Sequence, residues 1–296
     1  MNLAVLGVPS SIGARHAGSE KAPAALRRAG LLEKLRSAGH DVADREDQEL
    51  VVFRPDVDPA RAKQQNLPAV AKTARGVAAR VEAALREGRR PLVLGGDCTI
   101  ALGSVAGLSR FHPDPGLVYL DRDAELNTPQ TTRSGILDGM VIAHLLGRGA
   151  PELSRLSGQS PMLRPGRLAL LGVGRLDPQE IPIFEALPAL RMRSDDLVRL
   201  GSAAAAKETL QRLGGSGAFF VHLDVDVLDG EAIPAVDLPA AGGLALSEAA
   251  AFLSILSGDP GFAGLEVTNY NPDRDASGVA ARKLVDLLAA GFAPPA

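Results

Sequence analysis

Short aliphatic runs recur along this chain, each closed by glycine, proline or acids. The stretches between them carry apolar residues every three or four positions. The runs predict strands buried on both faces, and the longer spacing predicts helices packed against them. Strands are expected over residues 3–8, 91–94, 117–120, 167–173, 190–192, 218–225 and 264–267, with a short one within 40–52. Helical spacing covers residues 24–37, behind Pro23 at a position where a first turn tolerates proline, and residues 67–87, closed by Gly88. It returns over 100–108, 138–146, 178–187, 203–213, 246–256 and 276–290. About eight strands alternating with helices predict a single mostly parallel sheet with helices on both faces, a three-layer α/β/α arrangement. No linker, repeat or low-complexity run interrupts the sequence, so residues 1–296 are expected to form a single domain.

Two of the predicted strands end in acids. The run 117–120 is followed by Asp121, Asp123 and Glu125, which strand alternation puts on one side of the chain. The run 218–225 reads H-L-D-V-D at its end, so Asp224 and Asp226 share a face with His222. Like charges raise one another's cost of ionisation, and a metal ion is the first candidate to compensate them. Ligands of parallel sheets bind beyond the carboxyl ends of the strands. Asp97, the 121–125 acids, Asp177, Asp224 and Asp226 are therefore expected to converge on one crevice. Taken singly, each acid reads as half of an ordinary ion pair; acids at two separate strand ends favour a cation. His222 is expected to be a packed histidine beneath them. Cys98 in G-G-D-C reads on its own as a small buried hydrophobe.

Composition adds exclusions. Hydrophobic residues make up 46% of the chain, enough for a sizeable core, and a net charge of −3 gives no reason to expect nucleic acid or anionic membranes as partners. The lone Cys98 rules out an intramolecular disulfide. The first residues read as a strand and not as a signal peptide, and no apolar run approaches the roughly 18 residues of a membrane span. The protein is expected to be soluble and cytoplasmic.

The motifs carry a resemblance. L-G-V-P-S, K-A-P-A-A-L-R-R-A-G-L-L-E-K-L, L-G-G-D-C-T-I-A-L-G-S, D-R-D-A-E-L-N-T-P-Q-T-T-R-S-G-I-L-D-G, G-R-L-D-P and H-L-D-V-D-V-L-D follow one another along nearly the whole chain. In this order and spacing they resemble the arginase, or ureohydrolase, family. That resemblance implies an arginase-deacetylase-like fold in trimers or hexamers. It also implies two manganese ions bridging a hydroxide that attacks a guanidinium or amidine carbon. It assigns Asp121, Asp224 and Asp226 to the metal carboxylates as they stand. Cys98 and Asp123 fall where the family has His, and Glu125 where it has Asp. The family's proton-shuttling His falls on Asp138, and its guanidinium-pairing acid on Asn269. A family acid reads Arg175, and a family Thr reads Leu238. The half of the site that holds an amino acid's α-amino and α-carboxylate groups is largely retained: Asn127, Thr132, Ser134 and Asp177 match, with Glu180 close by. Ile136 replaces a polar Asn.

Carboxylate and thiolate donors still suit divalent cations, but each added anion makes a poorer Lewis acid. Manganese or another divalent cation is expected, with one or none in place of two; failing that, bound protons or a basic side chain such as Arg175 would offset the acids. Arg122 alternates away from them. The expected function is a divergent metal-dependent hydrolase of a guanidino or amidino C–N bond on an amino-acid-like substrate, with weak or no arginase activity. The alternative is a catalytically silent protein of the same fold that binds an amino acid or serves as a regulatory or assembly partner.

Overall fold

The computed structural model describes residues 1–213 and 217–293. Its strands are β1 (Asn2–Gly7), β2 (Asp41–Asp44), β3 (Arg90–Leu94), β4 (Gly116–Leu120), β5 (Leu168–Val173), β6 (Leu190–Arg193), β7 (Phe219–Asp224) and β8 (Phe262–Thr268). They form one sheet in the order β2-β1-β3-β8-β7-β4-β5-β6, every pair parallel. The central strands β4, β7 and β8 are buried throughout, as their aliphatic runs require.

The helices are α1 (Ala22–Arg28), α2 (Leu31–Ser37), α3 (Leu67–Arg86), α4 (Ile100–Phe111), α5 (Val141–Leu145), α6 (Pro151–Ser154), α7 (Ile181–Ala186), α8 (Ser194–Leu200), α9 (Ser202–Leu213), α10 (Leu246–Ser257) and α11 (Val279–Gly291). Two hydrophobic clusters lie on opposite faces of the sheet. One joins Leu3, Val5 and Val221 to α1, α2 and α9–α11, and the other joins Ala4, Leu6 and Tyr119 to α3–α6. The result is the three-layer α/β/α fold. Among the described residues, no helix is long and apolar enough to cross a membrane.

Local chemistry moved some boundaries. The helix expected over 24–37 is two helices, because Gly30 takes a left-handed φ of 91° between them. The helix expected over 138–146 opens as a 3-10 turn (Asp138–Met140) before α5. α8 follows β6 without a loop, so its S-D-D-L-V-R-L hides behind the strand signal, although Asp195 and Asp196 in its first turn suit the helix dipole.

All strands being parallel, the carboxyl ends of β3, β8, β7, β4 and β5 open on one edge of the sheet. The turn after β3 comes closest to its neighbours: a Cβ at Gly96 would overlap the Ser10 carbonyl. Gly96→Ala is therefore expected to destabilise the protein by about 1–3 kcal/mol through overpacking, or a Tm lower by roughly 3–8 °C. Thermal melts followed by circular dichroism check this; an unchanged Tm would mean that the 10–13 loop yields freely.

Candidate active site

Along the carboxyl edge lies a cavity of about 430 Å³. Asp123, Glu125, Asp138, Arg175, Asp226 and Asn269 line it, together with Asn127, Thr132, Ser134, Asp177 and Glu180. Arg15, His16, Ile136, Asp237 and Leu238 also line it. Beneath it, out of its lining, sit Cys98, Asp121 and Asp224, all buried.

Strand alternation brings only Asp121 into place. β4 ends at Leu120, and Asp123 beyond it is held by an isolated parallel bridge to Arg175. Its amide donates to Asp121 Oδ1 at 2.6 Å. Glu125 reaches the same site through a left-handed backbone, φ 50°, and accepts from the Tyr119 hydroxyl at 2.5 Å. On β7, Asp224 caps a single 3-10 turn (Val225–Val227) by accepting from the Asp226 amide at 2.8 Å. That turn, and not a continued strand, aims Asp226 into the cavity.

Cys98 Sγ lies 2.9 Å from Asp224 Oδ2, 3.9 Å from Asp121 Oδ2 and 3.3 Å from Thr268 Oγ1. Asn269, left-handed at φ 61°, donates its Nδ2 to Asp224 at 2.5 Å and to Cys98 Sγ at 3.2 Å. Asp138 accepts from the Cys98 amide at 2.7 Å. Asp97 does not join this group: it is buried and accepts from the amides of Gly13 and Thr99, so it braces the loops around the site. Asn127 donates to Asp177 at 2.9 Å. Both carboxylate oxygens of Glu180 are engaged, one by the Leu126 amide at 2.7 Å and one by the Asp177 amide at 2.8 Å. Glu180 thus braces these loops, while Asp177 has one carboxylate oxygen, Oδ2, taken by Asn127 and lines the cavity with the rest of its side chain.

His222 lies under the acids. It stacks on Tyr119 with centroids 3.9 Å apart and planes 5° from parallel, and its Nδ1 pairs with Glu266 at 2.8 Å. Its Nε2 is 3.3 Å from Thr268 Oγ1 and 4.0 Å from Asp121 Oδ2. Sequence reasoning missed Tyr119, Thr268 and Glu266 in this supporting layer. Glu266 carried a readable signal, a charged residue inside the otherwise apolar run F-A-G-L-E-V-T.

Electrostatically the acids are costly. Burial first, and then their neighbours' charges, push Asp121, Glu125, Asp138 and Asp224 well above the ordinary carboxylate range. Burial and Asp224 push the Cys98 thiol up in the same way. One cation already answers part of this field. Arg175 donates Nε to Asp123 Oδ1 at 2.9 Å and Nη2 to Asp123 Oδ2 at 2.8 Å, and its Nη2 also bonds Asp226 Oδ2. Its Nη1 donates to the Leu238 carbonyl at 3.0 Å. Burial works against the charge on Arg175, but Asp226 and Asp123 more than reverse that and hold the guanidinium well above its ordinary range. Arg122 points elsewhere, its Nη2 donating to the Ala241 carbonyl.

Two groups of donors remain to be matched with metal ions. Cys98, Asp121, His222 and Asp224 present atoms within 4.8 Å of one another, and Cys98 forms a second such group with Glu125 and Asp138. Soft and hard donors around one buried, anionic point fit a single divalent cation. A third group, Asp121, Asp123 and Asp226, does not fit one as it stands. Both oxygens of Asp123 and one of Asp226 are committed to Arg175, and the other oxygen of Asp226 lies 3.4 Å from the Arg122 amide.

Comparison with known proteins agrees with this fold. The arginase family model matches residues 1–292. The sequence is 31% identical to the arginase of Bacillus caldovelox over 291 residues, covering 98% of this chain and 97% of that one. It is 33% identical to human arginase-1 over 275 residues, 91% of this chain and 85% of that protein. The solved structure of the Bacillus caldovelox arginase superposes with a TM-score of 0.91, over 98% of this chain and 97% of that one at 30% identity.

Proposed function

Since the chain belongs to the arginase family over nearly its whole length, we propose that it binds an amino-acid-like molecule in the carboxyl-edge cavity and hydrolyses a guanidino or amidino C–N bond on it, with little or no activity on arginine. The family is metal-dependent and acts on small amino-acid-like substrates. The observation that carries the reading is that one cavity brings Asn127, Thr132, Ser134 and Asp177 together with Glu125, Asp138 and Asn269.

The first set suits an α-amino and α-carboxylate pair. The Asp177 carboxylate meets the ammonium, while the Thr132 and Ser134 hydroxyls and the Asn127 amide meet the carboxylate. The second set suits a cationic guanidine or amidine. Cys98, Asp121 and Asp224, with Glu125 beside Cys98, would hold a divalent cation, which would supply Lewis-acid charge for activating the attacking water. Asp138 fixes Oδ1 on the Cys98 amide, which leaves Oδ2 to exchange a proton with the departing nitrogen. Asn269 carries no charge, so its Oδ1 can accept from a guanidinium but adds no ion pair, and its Nδ2 is turned to Asp224 and Cys98. A second reading, binding without hydrolysis, draws on Arg175, which engages both oxygens of Asp123 and one of Asp226.

The test is a calorimetric screen of α-amino acids ending in guanidine, amidine or amide, with product analysis of every binder. At least one is expected to bind, and Asp177→Asn is expected to weaken it about 10- to 100-fold, the scale of a hydrogen bond to a charged group. Binding with turnover supports the hydrolase; binding with none, manganese present, supports the second reading. No binder in the series would remove both.

A further inference from the structure

Two departures from the family pattern, at positions 123 and 175, are a single exchange. Where the family carries an imidazole at the first and an acid at the second, this chain carries Asp123 and Arg175, and the two side chains form a two-pronged ion pair at 2.9 and 2.8 Å. The pair is held at both ends. The backbones bridge in parallel, with the Gly174 and Arg175 amides donating to the Arg122 carbonyl at 2.9 and 2.8 Å. The guanidinium extends from that bridge to Asp226 and to the Leu238 carbonyl. Its fork matches carboxylates bidentately, and it stays charged at any pH the fold survives. A dication entering between Asp123 and Asp226 would have to break these bonds and then sit beside a fixed positive charge.

We propose that the Arg175 guanidinium is a tethered cation standing permanently in place of a second metal ion between Asp123 and Asp226, leaving one divalent-ion position, at Cys98, Asp121, Glu125 and Asp224. The exchange keeps a positive charge between these carboxylates without a free ion. It also changes what the site can do: a guanidinium orients and neutralises carboxylates but offers no open coordination position.

The inference rests on the hydrolase reading only for the remaining ion, and one experiment separates the two. Full-length protein is loaded with manganese and desalted, its metal is counted by mass spectrometry, and manganese titrations are followed by electron paramagnetic resonance. Wild type is expected to hold one ion per chain, with the signal of isolated manganese. R175Q, checked for folding by circular dichroism, is expected to gain a second ion and the broadened signal of a coupled pair. No ion in wild type and one in R175Q would uphold the role of Arg175 and overturn the metal-dependent hydrolase. Two ions in wild type would overturn the role of Arg175, and this arm needs no variant to fold. A folded R175Q with no gain would overturn it as well.

Discussion

Saturated with arginine and loaded with manganese, this protein is expected to release urea at least ~10³-fold more slowly than the ~10 s⁻¹ of a median enzyme. Three features of the site lower the rate. The position of the family's proton shuttle carries Asp138, whose Oδ1 is bound to the Cys98 amide; a well-placed acid–base group contributes about 10²–10⁴-fold. The guanidinium-pairing position carries Asn269, neutral and turned toward Asp224. Arg175 engages Asp123 and Asp226, from which a second cation would act. Such losses do not multiply when the groups act as a unit, so the prediction claims about 10³ and not their product. A colorimetric urea assay at saturating arginine, with and without manganese, decides it. Turnover near 10 s⁻¹ would show that Asp138 and Asn269 replace the family's residues without cost.

The second expectation concerns removal of the cation. Protein stripped by a chelator is expected to melt about 5–10 °C lower at pH 8 than at pH 5. The sign follows from proton counts. Asp121, Glu125, Asp138 and Asp224 have folded-state pKa values raised well above the ordinary 3.8 of Asp and 4.5 of Glu. Between the ordinary and the raised values the folded state holds more protons than the unfolded one, so stability falls as pH rises. Each proton of difference is worth about 1.4 kcal/mol per pH unit, or roughly 2–4 °C of Tm in a large domain. A bound divalent ion substitutes for those protons, so loading with manganese is expected to flatten the profile and raise the Tm most at pH 8. A chelated protein that grows more stable from pH 5 to pH 8 would mean that the four carboxylates are already ionised and paired.

Much of this was legible before any coordinates. Aliphatic runs ending in acids located the strands, their shared parallel edge and the crevice, because burial on both faces leaves little choice of residue. The acids gather on the crevice, but strand alternation describes only part of how they do so. Asp121 follows from alternation, whereas Glu125 reaches the site through a left-handed backbone and Asp226 through a 3-10 turn, neither of which a period of two describes. Asp97 looked like its neighbours in sequence and is a brace, since only the fold shows that the Gly13 and Thr99 amides claim it. Glu180 is likewise spent on two amides. Arg175 could be named as a candidate counter-charge, but its partner lies 52 positions away, and a single sequence gives residue types without pairings.

The Asp123–Arg175 pair also constrains how the chain could change. Replacing Asp123 alone by His would set an imidazole against a guanidinium that keeps only Asp226 as carboxylate partner. Replacing Arg175 alone by an acid would gather Asp123, Asp226 and the new carboxylate with no cation among them. Either single change leaves a charge without its partner, so the two positions are coupled. A double exchange to His and an acid is therefore expected to cost less than the sum of the two single changes.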